Sequence, residues 1–396
     1  MNRPNPAANR QPMLDALTGL RAFAAAWVVL YHFRADIKAL APTADWLWPL
    51  LDSGYAGVDV FFVLSGFIIA YTYLDRLSHP NAGRAGRFLW YRLARLYPVH
   101  LFTLAIFAVI VTPGSFRDAG LSQVVANITT DEFLRQLLMV HAWGTNGNIA
   151  WNYPAWSISS EWFAYLLFPF VALGLARVRR PLQACWGFVL SNVFNVATFA
   201  WIALAGMEGE IILVRIVGEF AAGCFLFLLW RQGWRFEAPW PLLTPLFALA
   251  SAAVTIAVAQ ADSVAPVVAA PLYGGLIYGL AIERDVLSRI LGARLLVYAG
   301  EASYALYMVH AIVQRFTWEY LPSADYVDDT RLVRLGVLFL YAALLALAAI
   351  ATYEFIERPS RDWMRRVIAR SPGPATEPVA VIGGEEPVRQ RPAGRA

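Results

Sequence analysis

The chain has 396 residues, of which 59% are hydrophobic and 15% charged, where a soluble domain carries about a quarter charged. This balance excludes an ordinary soluble enzyme, because apolar runs of about 20 residues, each long enough to cross a bilayer, recur along the chain. The formal charge of +4 does not mark a nucleic-acid binder, since the arginines fall between the apolar runs rather than along one helical face, as topology signals do.

Runs of spanning length cover residues 14–33, 54–74, 88–111, 156–176, 184–205, 211–230, 241–259, 264–282, 295–314 and 335–355. They predict an all-α, polytopic membrane helical bundle of about ten transmembrane helices whose partner is the lipid bilayer. The first run is a retained helix rather than a signal peptide, because Arg21 interrupts it and no small-residue cleavage site follows. Residues 121–140 mix charged and apolar side chains and predict an interfacial or re-entrant helix on the outer side. The transmembrane domain extends over 14–361, with an N-terminal tail at 1–13 and a disordered tail at 371–396 that has little to bury. Cys185 and Cys224 lie inside apolar runs and are expected to pack, not to pair or bind metal.

An even number of spans puts both termini on one side. Alternate loops on that side carry Arg76, Arg84 and Arg87, then Arg177, Arg179 and Arg180, while the opposite loops offset their arginines with acids such as Asp45 and Asp131. The side of the termini is therefore expected to be cytoplasmic, in the inner membrane.

An ionisable side chain inside a span costs a few kcal/mol or more unless it faces a polar interior, so each one is a candidate site residue. Arg21 and His32 lie in the first run with ten residues between them. At about 100° per residue both point the same way, roughly 16 Å apart along the axis. An imidazole near the outer side suits a general base for a hydroxyl; the alternative is that His32 caps the span and Arg21 snorkels to headgroups. Arg92 and Arg95 share a face near the inner end of the third run. Two guanidiniums there can grip phosphates such as those of coenzyme A, or they simply end the positive loop that holds Arg84 and Arg87.

At the outer entrance of the fourth run Ser157, Ser159 and Ser160 precede Glu161. That pattern fits an N-terminal cap, while Glu161 also suits orienting an imidazole or binding sugar hydroxyls. Trp151 and Trp156 fit an interfacial belt or a stacking surface. Asp59, early in the second run, and His310, well inside the ninth, need partners; both are assigned to the polar cavity of His32, with packing as the alternative for His310. No glycine-rich phosphate loop, zinc-spaced cluster or Gly-x-Ser-x-Gly elbow occurs, so no metal is expected.

Several of these segments carry ordered motifs. They are Leu-Asp-Ala-Leu-Thr-Gly-Leu-Arg at 14–21 followed by His32, Gly-Val-Asp-Val-Phe-Phe-Val-Leu-Ser-Gly-Phe at 57–67, and Arg-Leu-Ala-Arg-Leu-Tyr-Pro at 92–98. Trp-Ser-Ile-Ser-Ser-Glu follows at 156–161, Ser-Tyr-Ala-Leu-Tyr-Met-Val-His at 303–310 and Glu-Arg-Pro-Ser-Arg at 357–361. In this order they resemble the membrane acyltransferase 3 family over residues 14–361. The resemblance implies about ten helices, an acyl-CoA donor, most often acetyl-CoA, and transfer to a hydroxyl of a cell-surface or exported carbohydrate. It implies that Arg21, His32, Arg92 and Arg95 are tied to activity. The expected roles are donor phosphates on Arg92 and Arg95, donor positioning by Arg21 and deprotonation of the acceptor by His32, with Glu161, His310 and Asp59 as further catalytic candidates.

Many members of that family carry a soluble esterase-like domain after the helices, and none follows here, so any second step is expected to use separate polysaccharide-assembly proteins. Acylation of a small hydroxylated metabolite or a lipid is a rival reading. A polysaccharide transporter is another, which broken helices repeated in the two halves would favour; the sequence shows no such repeat.

Overall fold

In lipid every backbone N–H and C=O must be satisfied within its own segment, so each apolar run has to become a helix. The computed structural model describes residues 14–110, 129–144, 151–205, 211–233, 240–261, 266–282, 285–320 and 330–369; the expected tails at 1–13 and 371–396 lie outside the described residues. In chain order the helices are α1 (Asp15–His32), α2 (Arg34–Leu40), α3 (Trp48–Asp52), α4 (Gly57–Leu77), α5 (Ala82–Ile110), α6 (Thr130–Leu137), α7 (Ala155–Leu175) and α8 (Pro181–Leu204). Then come α9 (Ile211–Arg231), α10 (Trp240–Ala261), α11 (Ala270–Ile282), α12 (Val286–Leu291), α13 (Arg294–Glu301), α14 (Ser303–Tyr320), α15 (Arg331–Thr352) and α16 (Arg358–Ala369). A π-helical turn at Tyr353–Glu357 joins the last two.

Among the described residues seven helices are long and apolar enough to cross a membrane, and nine if each of two bent pairs counts as one span. With the shorter apolar helix Val267–Ile282, every apolar run has its helix, and the fold is the all-α polytopic bundle that the sequence predicts. Of the expected interfacial stretch at 121–140, the described part includes the short helix α6. Thr129 Oγ1 caps it by accepting from the Glu132 amide at 3.2 Å, and the Gln136 carbonyl at its end is held by His100 of α5 at 2.7 Å.

Two of the spans are bent. The α1/α2 pair bends by 68° and the α13/α14 pair by 61°. Both breaks fall at the ends of helices that remain 18 residues long, roughly 27 Å at 1.5 Å per residue, so neither span is interrupted at its middle. At the first break Phe33 is drawn into a small core with Val29, Leu40 and Tyr341. α1 runs alongside the α13/α14 pair in one direction: a Cβ on Gly300 of α13 would meet the Thr18 carbonyl at 1.9 Å, and Gln314 Nε2 of α14 donates to the His32 carbonyl at 2.6 Å.

Helices α4 and α9 pack backbone to backbone. A Cβ on Gly66 would lie 2.0 Å from the Phe220 carbonyl, and one on Gly223 would lie 2.0 Å from the Val63 carbonyl. Small residues let membrane helices approach this closely, which is where their packing energy comes from. The same interface holds the fully buried Asp59, which accepts from Arg215 Nε and Nη2 at 2.6 Å each. Arg215→Ala would leave that carboxylate buried without its guanidinium and is expected to cost about 3–5 kcal/mol. The check is the unfolding temperature in detergent, where the double variant Asp59→Leu/Arg215→Met should recover most of the loss.

Candidate active site

A cavity of about 1210 Å³, part of it open to solvent, follows one face of α4 from Val58 through Phe61, Ser65 and Ile68 to Thr72. Those positions recur at helical spacing, and the stretch spans roughly 21 Å. The opposite walls come from α1, α5, α7, α13 and α14, and they bring Arg21, Arg92, Arg95 and Glu161 together on one cavity.

Arg92 and Arg95 project from α5 toward the Thr72 end of the cavity. Arg92 Nη2 donates to the Tyr73 hydroxyl at 2.9 Å, and its guanidinium lies 5.1 Å from the Tyr73 ring centroid. Arg95 is ion-paired with the buried Glu357. Glu357 reaches it from the π-helical turn, a deviation that often marks functional positions, and Arg361 stands 3.9 Å from the same carboxylate. From that turn the Tyr353 hydroxyl also donates to Glu301 Oε2 at 2.7 Å, and Glu301 lines the cavity.

Glu161 does not belong to a helix cap, which corrects that expectation. The helix starts earlier, with Pro154 at the cap position and no side-chain capping bond. Ser157 therefore sits inside the first turn, where its hydroxyl donates to the Tyr307 oxygen at 2.8 Å, and Ser160 donates back to the Trp156 carbonyl at 2.9 Å. Glu161 is left to face the cavity, accepting from Ser65 Oγ at 2.8 Å and from the Tyr165 hydroxyl.

Beyond the Val58 end of the cavity stand two imidazoles. His32 Nδ1 makes a 2.8 Å hydrogen bond to the Val28 carbonyl. A carbonyl only accepts, so Nδ1 carries the hydrogen and the neutral ring keeps its lone pair on Nε2. His310 repeats this arrangement on the Tyr307 carbonyl at 2.6 Å. The two ring centroids are 4.8 Å apart, and Tyr153 packs against both at 4.9 and 5.7 Å. The Tyr153 hydroxyl donates to Gln314 Oε1 at 2.9 Å, so Gln314 ties this ring to the end of α1. His32 is half-buried and His310 fully buried.

The structure thus brings Arg21 to Arg92, Arg95 and Glu161 on one cavity, and His32 to His310 as a second group beside it. Tyr307 joins them: it lines the cavity, and its ring centroid is 5.7 Å from that of His310, one helical turn further along α14. Asp59 is brought to neither group, because Arg215 of α9 holds it. Trp156 lies inward, 6.2 Å from Phe62 and 5.8 Å from the Arg215 guanidinium, rather than in a belt. Tyr307 and Gln314 were within reach of sequence reasoning, since both lie one turn from His310 on the same helix. Nothing local to the sequence pairs Glu357 with Arg95 or Ser65 with Glu161, which are long-range contacts. Among the described residues no three His, Cys, Asp or Glu side chains are placed to hold a metal ion.

The chain matches a family model described as an acyltransferase domain over residues 14–353. Acyltransferase MdmB of Streptomyces mycarofaciens is 30% identical over 393 residues, covering 92% of this chain and 96% of MdmB. O-acetyltransferase OatA of Staphylococcus aureus (strain NCTC 8325 / PS 47) is 28% identical over 179 residues, covering 42% of this chain and 26% of OatA. No solved structure matches the chain. Because the family match runs through α1, α4, α5, α7 and α14, the helices that carry both groups of side chains, the chain belongs to the acyltransferase 3 family of polytopic membrane proteins.

Proposed function

We propose that this protein takes an acyl group, acetyl above all, from a coenzyme A thioester on the cytoplasmic side and places it on a hydroxyl of a cell-surface or exported carbohydrate. The observation that carries the reading is the order of groups along one cavity, with the guanidiniums of Arg92 and Arg95 toward one end and two imidazoles one turn beyond the other. Arginine pairs suit the donor's phosphates. Arg21 and the Glu161, Ser65 and Tyr165 wall position the donor arm between the two ends, and Asp59 only holds Arg215 in place. The acceptor enters from the outer side, where His32 is half-buried, and gives its proton to His32 Nε2 as its oxygen attacks the thioester carbonyl. The carbon–sulfur bond then breaks and coenzyme A leaves as the thiol.

This assignment puts both termini in the cytoplasm by the arginine distribution, makes residues 14–361 the catalytic unit, and leaves later polysaccharide assembly to separate proteins. The similarity to OatA, an O-acetyltransferase, supports oxygen as acceptor and acetyl as the group. The test is a free-thiol assay on purified protein with acetyl-CoA and a crude surface-glycan extract. Glycan-dependent thiol release is expected. Release only with a macrolide or a lipid alcohol would move the acceptor to small hydroxylated compounds, and absence of both binding and consumption of acyl-CoA would overturn the proposal.

A further inference from the structure

We infer that His310 is a second proton carrier of the reaction, sharing one proton with His32 and handing it to the leaving thiolate. The inference rests on the acyl-transfer reading above and names a step within it. Its first support is an orphan: His310 is fully buried, and its Nε2 makes no hydrogen bond among the described residues. Leaving such a group unsatisfied costs about 1–3 kcal/mol, so its retention needs a reason. The second support is symmetry of attachment. Both rings are tied through Nδ1 to a backbone carbonyl one turn back, so each keeps its Nε2 lone pair, on rings whose centroids are 4.8 Å apart.

A third support comes from what surrounds the pair. Tyr31, Tyr153 and Tyr307 face the rings, and Arg34 lies beyond, stacked 4.0 Å over Tyr31. Each Nδ1 contacts a neutral carbonyl rather than a carboxylate, so an imidazolium formed on His32 has no counter-charge at that atom. In a low-dielectric interior that charge is costly, and spreading it over two rings lowers the cost. The pair is also ordered along the reaction path: His32 is half-buried and meets the acceptor, while His310 is one turn from Tyr307 and the donor cavity. As the acceptor oxygen bonds to the acyl carbon, its proton passes to His32 Nε2 and from there to His310 Nε2. As the carbon–sulfur bond breaks, His310 returns that proton to sulfur, so both rings end neutral.

The test uses full-length protein in detergent with acetyl-CoA and the glycan acceptor. His310→Asn is expected to keep donor affinity and lose turnover by about 10²-fold. In His310→Ala, added imidazole should restore part of the rate, while pyrazole, the same size but a far weaker base, should not. The wild-type rate in mixtures of light and heavy water should curve with deuterium content, as two moving protons require, and become linear in His310→Asn. Near-wild-type turnover of His310→Asn, equal rescue by both azoles, or a linear wild-type dependence would each overturn the inference. If neither azole enters, the isotope curve alone decides. Failure of the acyl-transfer reading is distinct, since the wild type would then release no thiol at all.

Discussion

His32→Ala is expected to bind the donor as the wild type does and to release thiol about 10²–10⁴-fold more slowly. The loss should fall on kcat, because the imidazole touches the acceptor hydroxyl and lies outside the arginine-lined cavity. The ring is well prepared for this work. Its Nδ1 hydrogen is fixed on Val28, its orientation is set by Tyr153 and His310, and the end of its helix is pinned by Gln314. The measurement is donor affinity and single-turnover thiol release on the same preparation. A variant that loses binding and turnover together would place His32 in the donor site instead.

Arg92→Ala/Arg95→Ala is expected to abolish donor binding at ordinary concentrations. Hydrogen bonds to charged groups contribute about 1.5–3 kcal/mol each, and each 1.4 kcal/mol is about tenfold in affinity. Losing both guanidiniums therefore weakens binding by about 10²–10⁴-fold. Arg95 has a second part in the fold, since Glu357 is buried against it and would be left facing Arg361 at 3.9 Å. Arg95→Ala alone should thus lower stability as well as affinity. Adding Glu357→Gln removes the buried carboxylate that has lost its nearer guanidinium, so the double variant should regain stability and still fail to bind. Calorimetric titration with acetyl-CoA and thermal unfolding in detergent separate the two effects.

Helix existence was legible because a run that must cross lipid can only be helical, and every apolar run became one. The facing of Arg21 and the pairing of Arg92 with Arg95 on one wall were legible too, because they depend on a period within one helix. Contacts between helices were not. Asp59 reads as a site residue on its own, and its partner Arg215 lies 156 residues further along the chain. Glu161 reads as part of a cap because serines precede it, but the helix start is set by Pro154 and not by the serines. The bend after His32 carries no glycine or proline signal and coincides with the packing of Phe33 against Leu40 and Tyr341; the bend before Ser303 lies just after Gly300, whose missing Cβ lets α13 approach the Thr18 carbonyl of α1.

The most direct test of the account is an experimental structure with a non-reactive thioether analogue of acetyl-CoA bound. The account predicts the diphosphate on Arg92 and Arg95, the arm along Ser65 and Glu161, and the sulfur past Tyr307 beside the His32 and His310 pair. An analogue bound with its phosphates away from both arginines, or with its sulfur left deep in the cavity on the far side of Tyr307, would contradict it.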